Sequence, residues 1–296
     1  MQKDFSGVWT ALVTPMGESR VDYDSLENLV EMQVRAGVAG IVSVGTTGES
    51  PTLSHEEHLE VIRKTVEYAA GRTQVYAGTG SNCTSEAVHL TREADAVGAD
   101  GFLVVAPYYN KPSQEGVFLH MSEVAKCTEK PIVLYSIPGR CGIEISNQTA
   151  NRLRESFRNV CVLKEAGGKA EKVADLHGLA GDKITILSGD DGKTLDFIEA
   201  GAKGVISVAS NIIPEKMSEM VALALSGRMG EARAIEAKHA EFFKALFIEP
   251  NPVPIKTLMA LAGTISDAHV RLPLCKMSEK NLEILKSAAR SVGILK

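Results

Sequence analysis

The sequence predicts an α/β protein, a (β/α)8 barrel followed by a C-terminal helical extension. Three observations carry this. Eight short apolar, β-branched runs alternate with segments of helical spacing, and such alternation means parallel strands joined by crossover helices. The runs are apolar throughout rather than alternating, as strands covered on both faces are. The chain has 296 residues, and a barrel of about 250 residues fits within that length. A doubly wound open sheet is the competing architecture. No GxGxxG follows the first run, which counts against the dinucleotide-binding form of that sheet.

The elements follow in order. The first strand is expected over residues 7–15. A helix opens at Asp24, with Glu27 three places on as a capping-box partner, and stops at Gly37. The second strand, 40–44, leads into the loop GTTGESPT. Ser54 opens the next helix with Glu57 in the capping position; Leu59, Ile62, Val66 and Ala69 keep helical spacing and Gly71 ends it. The third strand is 74–80, and its helix runs from Thr84 to Gly98. The fourth is 101–106, followed by the loop YYNKPSQEG and a helix near 115–126. The fifth is 131–137, ended by Pro138, with a helix near 146–156. The sixth is VCVLKEAGG, 160–168. The seventh is 184–189 and the eighth 204–209. From Pro214 to Ser291 the pattern is only helical. Residues 1–227 are read as the catalytic barrel and 228–296 as the extension, with the proline-rich FIEPNPVPIK as a joint inside it.

Composition bounds the function. The chain is 44% hydrophobic and 23% charged, the balance of a soluble globular protein, with net charge −5. That charge gives no case for nucleic acid or an anionic membrane. No apolar run approaches the roughly 18 residues of a membrane helix. The N-terminal stretch lacks the layout of a signal peptide. Five cysteines, Cys83, Cys127, Cys141, Cys161 and Cys275, without CxxC spacing, read as reduced thiols in a cytoplasmic protein rather than a disulfide frame or zinc site.

Barrel chemistry collects at the carboxyl ends of the strands. Lys164 ends an apolar run, so its stem lies in protein and its amine at a pocket mouth. Desolvation there lowers the amine's pKa, which is what a lysine needs to form a Schiff base with a carbonyl. A strand-end lysine snorkelling to water fits the same pattern. The other strand ends offer hydroxyls and glycines and no cluster of metal-ligand spacing, which favours covalent lysine chemistry over metal-assisted hydrolysis.

The surrounding residues each carry two readings. Thr46 and Thr47 in GTTGE offer hydroxyls and backbone N–H groups to a carboxylate, or belong to an ordinary turn. Tyr135 packs in the core, or relays protons from the strand beside Lys164. Arg140 follows a Pro-Gly turn, where it grips a carboxylate with two prongs or is simply solvated. Tyr108 and Tyr109 are adjacent loop aromatics that suit an interface at least as well as catalysis. His55 and His58 lie at i, i+3, but HEEH is not HExxH, and a solvated helix face is the plainer reading. Asp190 and Asp191 coordinate magnesium or cap the helix that follows.

Taken in order, GTTGESPTLSHEEH, APYYNKPSQEG, LYSIPGR, VLKEA, LSGDD, GVISV and FIEPNPVPIK resemble the dihydrodipicolinate synthase family of pyruvate-dependent class I aldolases and lyases, over nearly the whole chain. The resemblance implies that Lys164 is the Schiff-base lysine for pyruvate. It implies a proton relay of Thr46, Tyr135 and Tyr109, with Tyr109 reaching in from a neighbouring subunit. It implies a pyruvate pocket of Thr47, Gly189 and Ile206, and Arg140 as the residue that binds the carboxylate of aspartate semialdehyde. The reaction implied is condensation of pyruvate with L-aspartate 4-semialdehyde to 4-hydroxy-tetrahydrodipicolinate, towards diaminopimelate and lysine, without a cofactor, in a homotetramer built as a dimer of dimers. Ser50, His55, His58, Asn82, Glu86 and Tyr108 match positions that bind L-lysine as a feedback inhibitor in some members. Two positions depart from the pattern: Ser136 where asparagine is common, and Gly167 where serine or threonine is common. The alternatives are a sister lyase acting on a sialic acid or 2-keto-3-deoxy sugar acid, and a catalytically silent barrel that senses a keto acid or lysine.

Overall fold

The computed structural model describes residues 4–296. The opening residues of the N-terminal stretch read for leader features, 1–3, lie outside them. Eight strands close a barrel in sequence order, β1 pairing with β8 as well as β2. They are β1 (Gly7–Ala11), β2 (Gly40–Ser43), β3 (Gln74–Gly78), β4 (Gly101–Val105), β5 (Ile132–Ser136), β6 (Val160–Glu165), β7 (Thr185–Ser188) and β8 (Gly204–Ser207). Every pairing is parallel. Each strand is shorter than the apolar run that predicts it, because the last residues of each run turn out of the ladder into the loops that build the site.

The helices are α1 (Tyr23–Arg35), α2 (His55–Ala69), α3 (Thr84–Ala96), α4 (Gln114–Lys126), α5 (Pro138–Cys141), α6 (Asn147–Ser156), α7 (Ala170–Ala180), α8 (Thr194–Glu199), α9 (Pro214–Leu225), α10 (Met229–Ala245), α11 (Val253–Leu261) and α12 (Glu279–Ser291). The capping box of Ser54 and Glu57 forms as predicted. The start of α1 does not: Asp22 is the cap, its carboxylate accepting the Ser25 N–H, and Asp24 lies in the first turn, where an acid favours the helix dipole. The one-turn helix α5 is unforeseen; at four residues it is too short to show a period. The C-terminal segment is helical with interruptions, since 246–252 and 262–278 are irregular.

The core has two parts. An outer shell packs helices on strands. An inner cluster fills the barrel and includes Trp9, Val42, Tyr76, Leu103, Tyr135 and Ile206. Trp9 occupies the space a side chain at residue 40 would need, as a Cβ there would meet its ring at 2.2 Å, so Gly40 is required by the plug of the barrel floor.

Candidate active site

Lys164 is the fifth residue of β6, buried among apolar neighbours with 6% of its surface exposed. Loss of water pulls its amine down to about 7; Asp191 opposes the shift and the positive Arg140 adds to it. An amine with that pKa is substantially neutral, and therefore nucleophilic, near neutral pH.

Tyr135 pairs in register with Lys164 across β5 and β6, and the amine lies 4.2 Å from the centre of its ring. Burial raises the phenol to about 12, so it holds its proton through the working pH range. Its side chain is hydrogen-bonded to Thr46, which stands in the loop after β2. Thr46 and Tyr135 line a cavity of about 380 Å³ together with Arg140, which α5 carries to the wall. The Arg140 guanidinium donates to the carbonyl of Asn251 at 3.3 Å. Cys141 shares this wall, its thiol pushed up to about 11 by burial.

Thr47 is buried and its hydroxyl accepts from the Asn251 amide at 2.9 Å. Gly189 follows β7 beside Lys164: a Cβ there would lie 2.7 Å from the Ala166 Cβ and 3.1 Å from the lysine Cε, so a side chain would crowd the stem of the amine. Ile206 is buried in the inner cluster, next in the β1–β8 register to Trp9.

The two aspartates of SGDD divide their roles. Asp190 caps the turn after β7 by accepting from the Gly192 N–H at 2.9 Å. Asp191 is buried, accepts from the N–H groups of Val208 and Ala209 at 3.1 and 2.9 Å, and is raised to about 6 by burial. It therefore bridges the ends of β7 and β8, and its charge opposes the lowering of Lys164. Among the described residues no group of three His, Cys, Asp or Glu could hold a metal ion.

The same cavity carries Ser50, His55, His58, Glu86 and Tyr108 on its walls. The His55 ring contacts the Glu86 carboxylate at 2.8 Å, and Ser81 donates to the other oxygen of Glu86. His58 is not on a solvated face. It is buried against the Gly78 carbonyl at 2.8 Å and pulled down to about 4 by desolvation, because α2 turns that residue onto β3. Asn82 lies in the adjoining loop, its carbonyl accepting from the Asn110 side chain at 2.9 Å. Tyr109 is the residue this chain does not bring in: 88% exposed, with φ of 72°, it projects into solvent.

Ser136 and Gly167 meet at one polar cluster on the helix side of the barrel. The Ser136 hydroxyl contacts Lys172 at 3.3 Å, Lys172 pairs with Glu165 at 2.9 Å, and the Gly167 N–H donates to Glu165 at 2.6 Å. Neither departure lines the cavity of Thr46, Tyr135 and Arg140. Sequence reasoning missed Asn251 and Lys256, and it read Asp191 as a magnesium ligand or a helix cap. A lysine and an asparagine inside the otherwise apolar, proline-rich FIEPNPVPIK are the signal that could have found the first two.

The chain matches the Dihydrodipicolinate synthetase family over residues 4–292. It is 46% identical over 291 residues to the 4-hydroxy-tetrahydrodipicolinate synthase of Methanocaldococcus jannaschii, covering 98% of this chain and all of that one. Among solved structures it is similar to the chloride-inhibited dihydrodipicolinate synthase of Acinetobacter baumannii complexed with pyruvate (42% identity, TM-score 0.96, 99% and 100% of the two chains). It is also similar to the DHDPS of Cyanidioschyzon merolae with lysine bound (37% identity, TM-score 0.95, 98% and 99% of the two chains).

Proposed function

This chain belongs to the Dihydrodipicolinate synthetase family and is a lyase with 4-hydroxy-tetrahydrodipicolinate synthase function, and from that premise we propose how its residues carry out the reaction. The amine of Lys164 attacks the C2 carbonyl of pyruvate and water leaves, giving an imine. The imine acidifies the methyl protons, and loss of one gives an enamine. The enamine carbon adds to the aldehyde of L-aspartate 4-semialdehyde, the aldehyde oxygen taking up a proton. The amino group of that substrate then closes the ring on the imine carbon and frees Lys164. Tyr135 and Thr46 move the protons, with Tyr109 completing the relay from a neighbouring subunit. Thr47, Gly189 and Ile206 shape the pyruvate pocket, and Arg140 holds the semialdehyde carboxylate.

The observation that carries this reading is the buried amine of Lys164 with its pKa near 7, set beside a phenol that keeps its proton. A structural neighbour complexed with pyruvate supports the keto-acid half of the reaction. The test is a coupled assay with pyruvate, L-aspartate semialdehyde and a dihydrodipicolinate reductase, read as loss of NADPH absorbance, alongside borohydride reduction with pyruvate. An unchanged intact mass after reduction would refute the Schiff base. Adduct formation without turnover would move the second substrate to a sugar acid.

L-Lysine is the inhibitor we assign to the part of the cavity formed by Ser50, His55, His58, Glu86 and Tyr108, with Asn82 beside it; the carboxylate of Glu86 suits an ammonium group. The lysine-bound neighbour supports that choice. The exposure of Tyr109 supports a homotetramer, a dimer of dimers, in which the tyrosine is covered and contributes across an interface. We assign a cytoplasmic setting, in keeping with five cysteines that lack CxxC spacing.

A further inference from the structure

Lys256 and Glu49 form an ion pair at 2.6 Å whose side chains have no exposed surface. It joins α11 to the loop after β2, 207 residues apart in the chain. Removing two charges from water is costly, and a neutral pair of similar volume is often as stable, so the pair is not explained by stability alone. The loop it holds is unusual. Val44 at its start and Glu49 at its end both adopt left-handed backbone, with φ of 53° and 56°. Neither is glycine and Val44 is β-branched, so that conformation persists only where the surroundings impose it.

The surroundings come from the segment that follows the barrel. Lys256 holds one oxygen of Glu49, and the backbone N–H of Arg271 donates to the other at 3.1 Å. The Asn251 side-chain amide donates to the Thr47 hydroxyl at 2.9 Å, while the Asn251 backbone carbonyl accepts from Arg140. Thr46, hydrogen-bonded to Tyr135, therefore sits in a turn anchored at residues 47 and 49.

We propose that Lys256 and Asn251 are positioning residues: they clamp the Thr46–Thr47 turn so that the Thr46 hydroxyl stays on Tyr135 and the Thr47 hydroxyl faces the keto acid. They act through those threonines and not on substrate. The proposal rests on the roles assigned above to Lys164, Tyr135 and Thr46.

Two variants of the full chain test it: the double substitution Glu49→Gln/Lys256→Met, which keeps the volume and removes both charges, and Asn251→Ala. Melting temperature, borohydride trapping at saturating pyruvate, kcat and KM are measured for each beside the parent. Lys164 is carried by β6 while the clamp acts on the loop after β2, so trapping at saturating pyruvate stays at the parental level. The expected results are a fall in kcat of tenfold or more in both variants and a raised KM for pyruvate in Asn251→Ala. A double variant that melts at the parental temperature with parental kcat overturns the proposal, because the pair is then only structural. So does an Asn251→Ala variant with parental kcat and KM, whether or not the double variant folds. A parent that forms no borohydride adduct refutes the Schiff-base reading instead, which keeps the two failures distinct.

Discussion

Tyr135 and Lys164 stand side by side at the ends of adjacent strands, with the lysine amine 4.2 Å from the centre of the phenol ring. A protonated amine would gain from that ring face, yet the amine is pulled down to about 7, chiefly by the loss of water, which outweighs the attraction of Asp191. The phenol beside it is driven the other way, to about 12, by the same burial. One dry environment thus yields a neutral nucleophile next to a protonated acid.

Lys164→Ala abolishes both turnover and borohydride trapping, read by the coupled assay and by intact mass. Lys164→Met tests the cost of the buried amine. The folded pKa is lowered from 10.5 to about 7, so the unfolded chain binds more protons between those values and parental stability rises with pH across them. Below pH 7 the parent carries the whole penalty. The methionine variant is therefore more stable than the parent at pH 6, by on the order of a few kcal/mol, and the difference shrinks as the pH approaches 10. Thermal melts at the two pH values check this; a parent more stable than the variant at pH 6 contradicts it.

The pH dependence of imine formation follows from the same group. Only the neutral amine attacks, so the initial rate of pyruvate trapping rises through about pH 7 and levels off above pH 8. A rate that keeps rising towards pH 10 would mean an amine of ordinary basicity.

Tyr135→Phe keeps the ring in the inner cluster and removes the hydroxyl that bonds Thr46. We expect kcat to fall about 10²- to 10⁴-fold, the range for loss of a positioned proton donor, with the melting temperature close to parental and the pyruvate adduct still trapped. Parental kcat would remove Tyr135 from the relay.

Tyr109→Phe reduces turnover and leaves the fold intact, since the residue is 88% exposed in its own chain. If it acts on a neighbour's site, mixing Tyr109→Phe with Lys164→Ala chains by unfolding and refolding together restores turnover above that of either variant. A hybrid with one parental lysine site receives a parental Tyr109 from the other chain. No recovery in assembled hybrids would place its action elsewhere.

L-Lysine lowers the initial rate of the parent in a titration, and Glu86→Gln weakens that inhibition at least tenfold, because the carboxylate that faces the cavity is lost. Parental turnover without L-lysine is expected to persist in the variant. The absence of inhibition in the parent refutes the site.

The barrel was legible in the sequence because burial on both faces leaves a clear mark: short β-branched runs alternating with segments of helical spacing. Lys164 was legible for the same reason, as a charge ending an apolar run at a strand's carboxyl end. What blurred was local. Asp22 rather than Asp24 caps α1, since neighbouring acids compete for one cap and only backbone geometry chooses. The one-turn helix that carries Arg140 has no period to read.

His58 and the SGDD pair mark the other limit. HEEH shows two histidines one turn apart, and nothing in their spacing tells that one is exposed beside Glu86 while the other is sealed against the Gly78 carbonyl. Nor does it tell which aspartate caps a turn and which is buried between β7 and β8. By itself, then, the sequence determined the order of elements, the barrel they close and the lysine at its mouth, because these follow from hydrophobic period and local propensity. The tertiary structure alone decided that the amine is dry enough to be neutral, that Tyr109 leaves its own chain's cavity, and that Lys256 reaches Glu49 across 207 residues. Those facts depend on which distant side chains displace water from a group, and burial of that kind is set by packing rather than by any window of sequence.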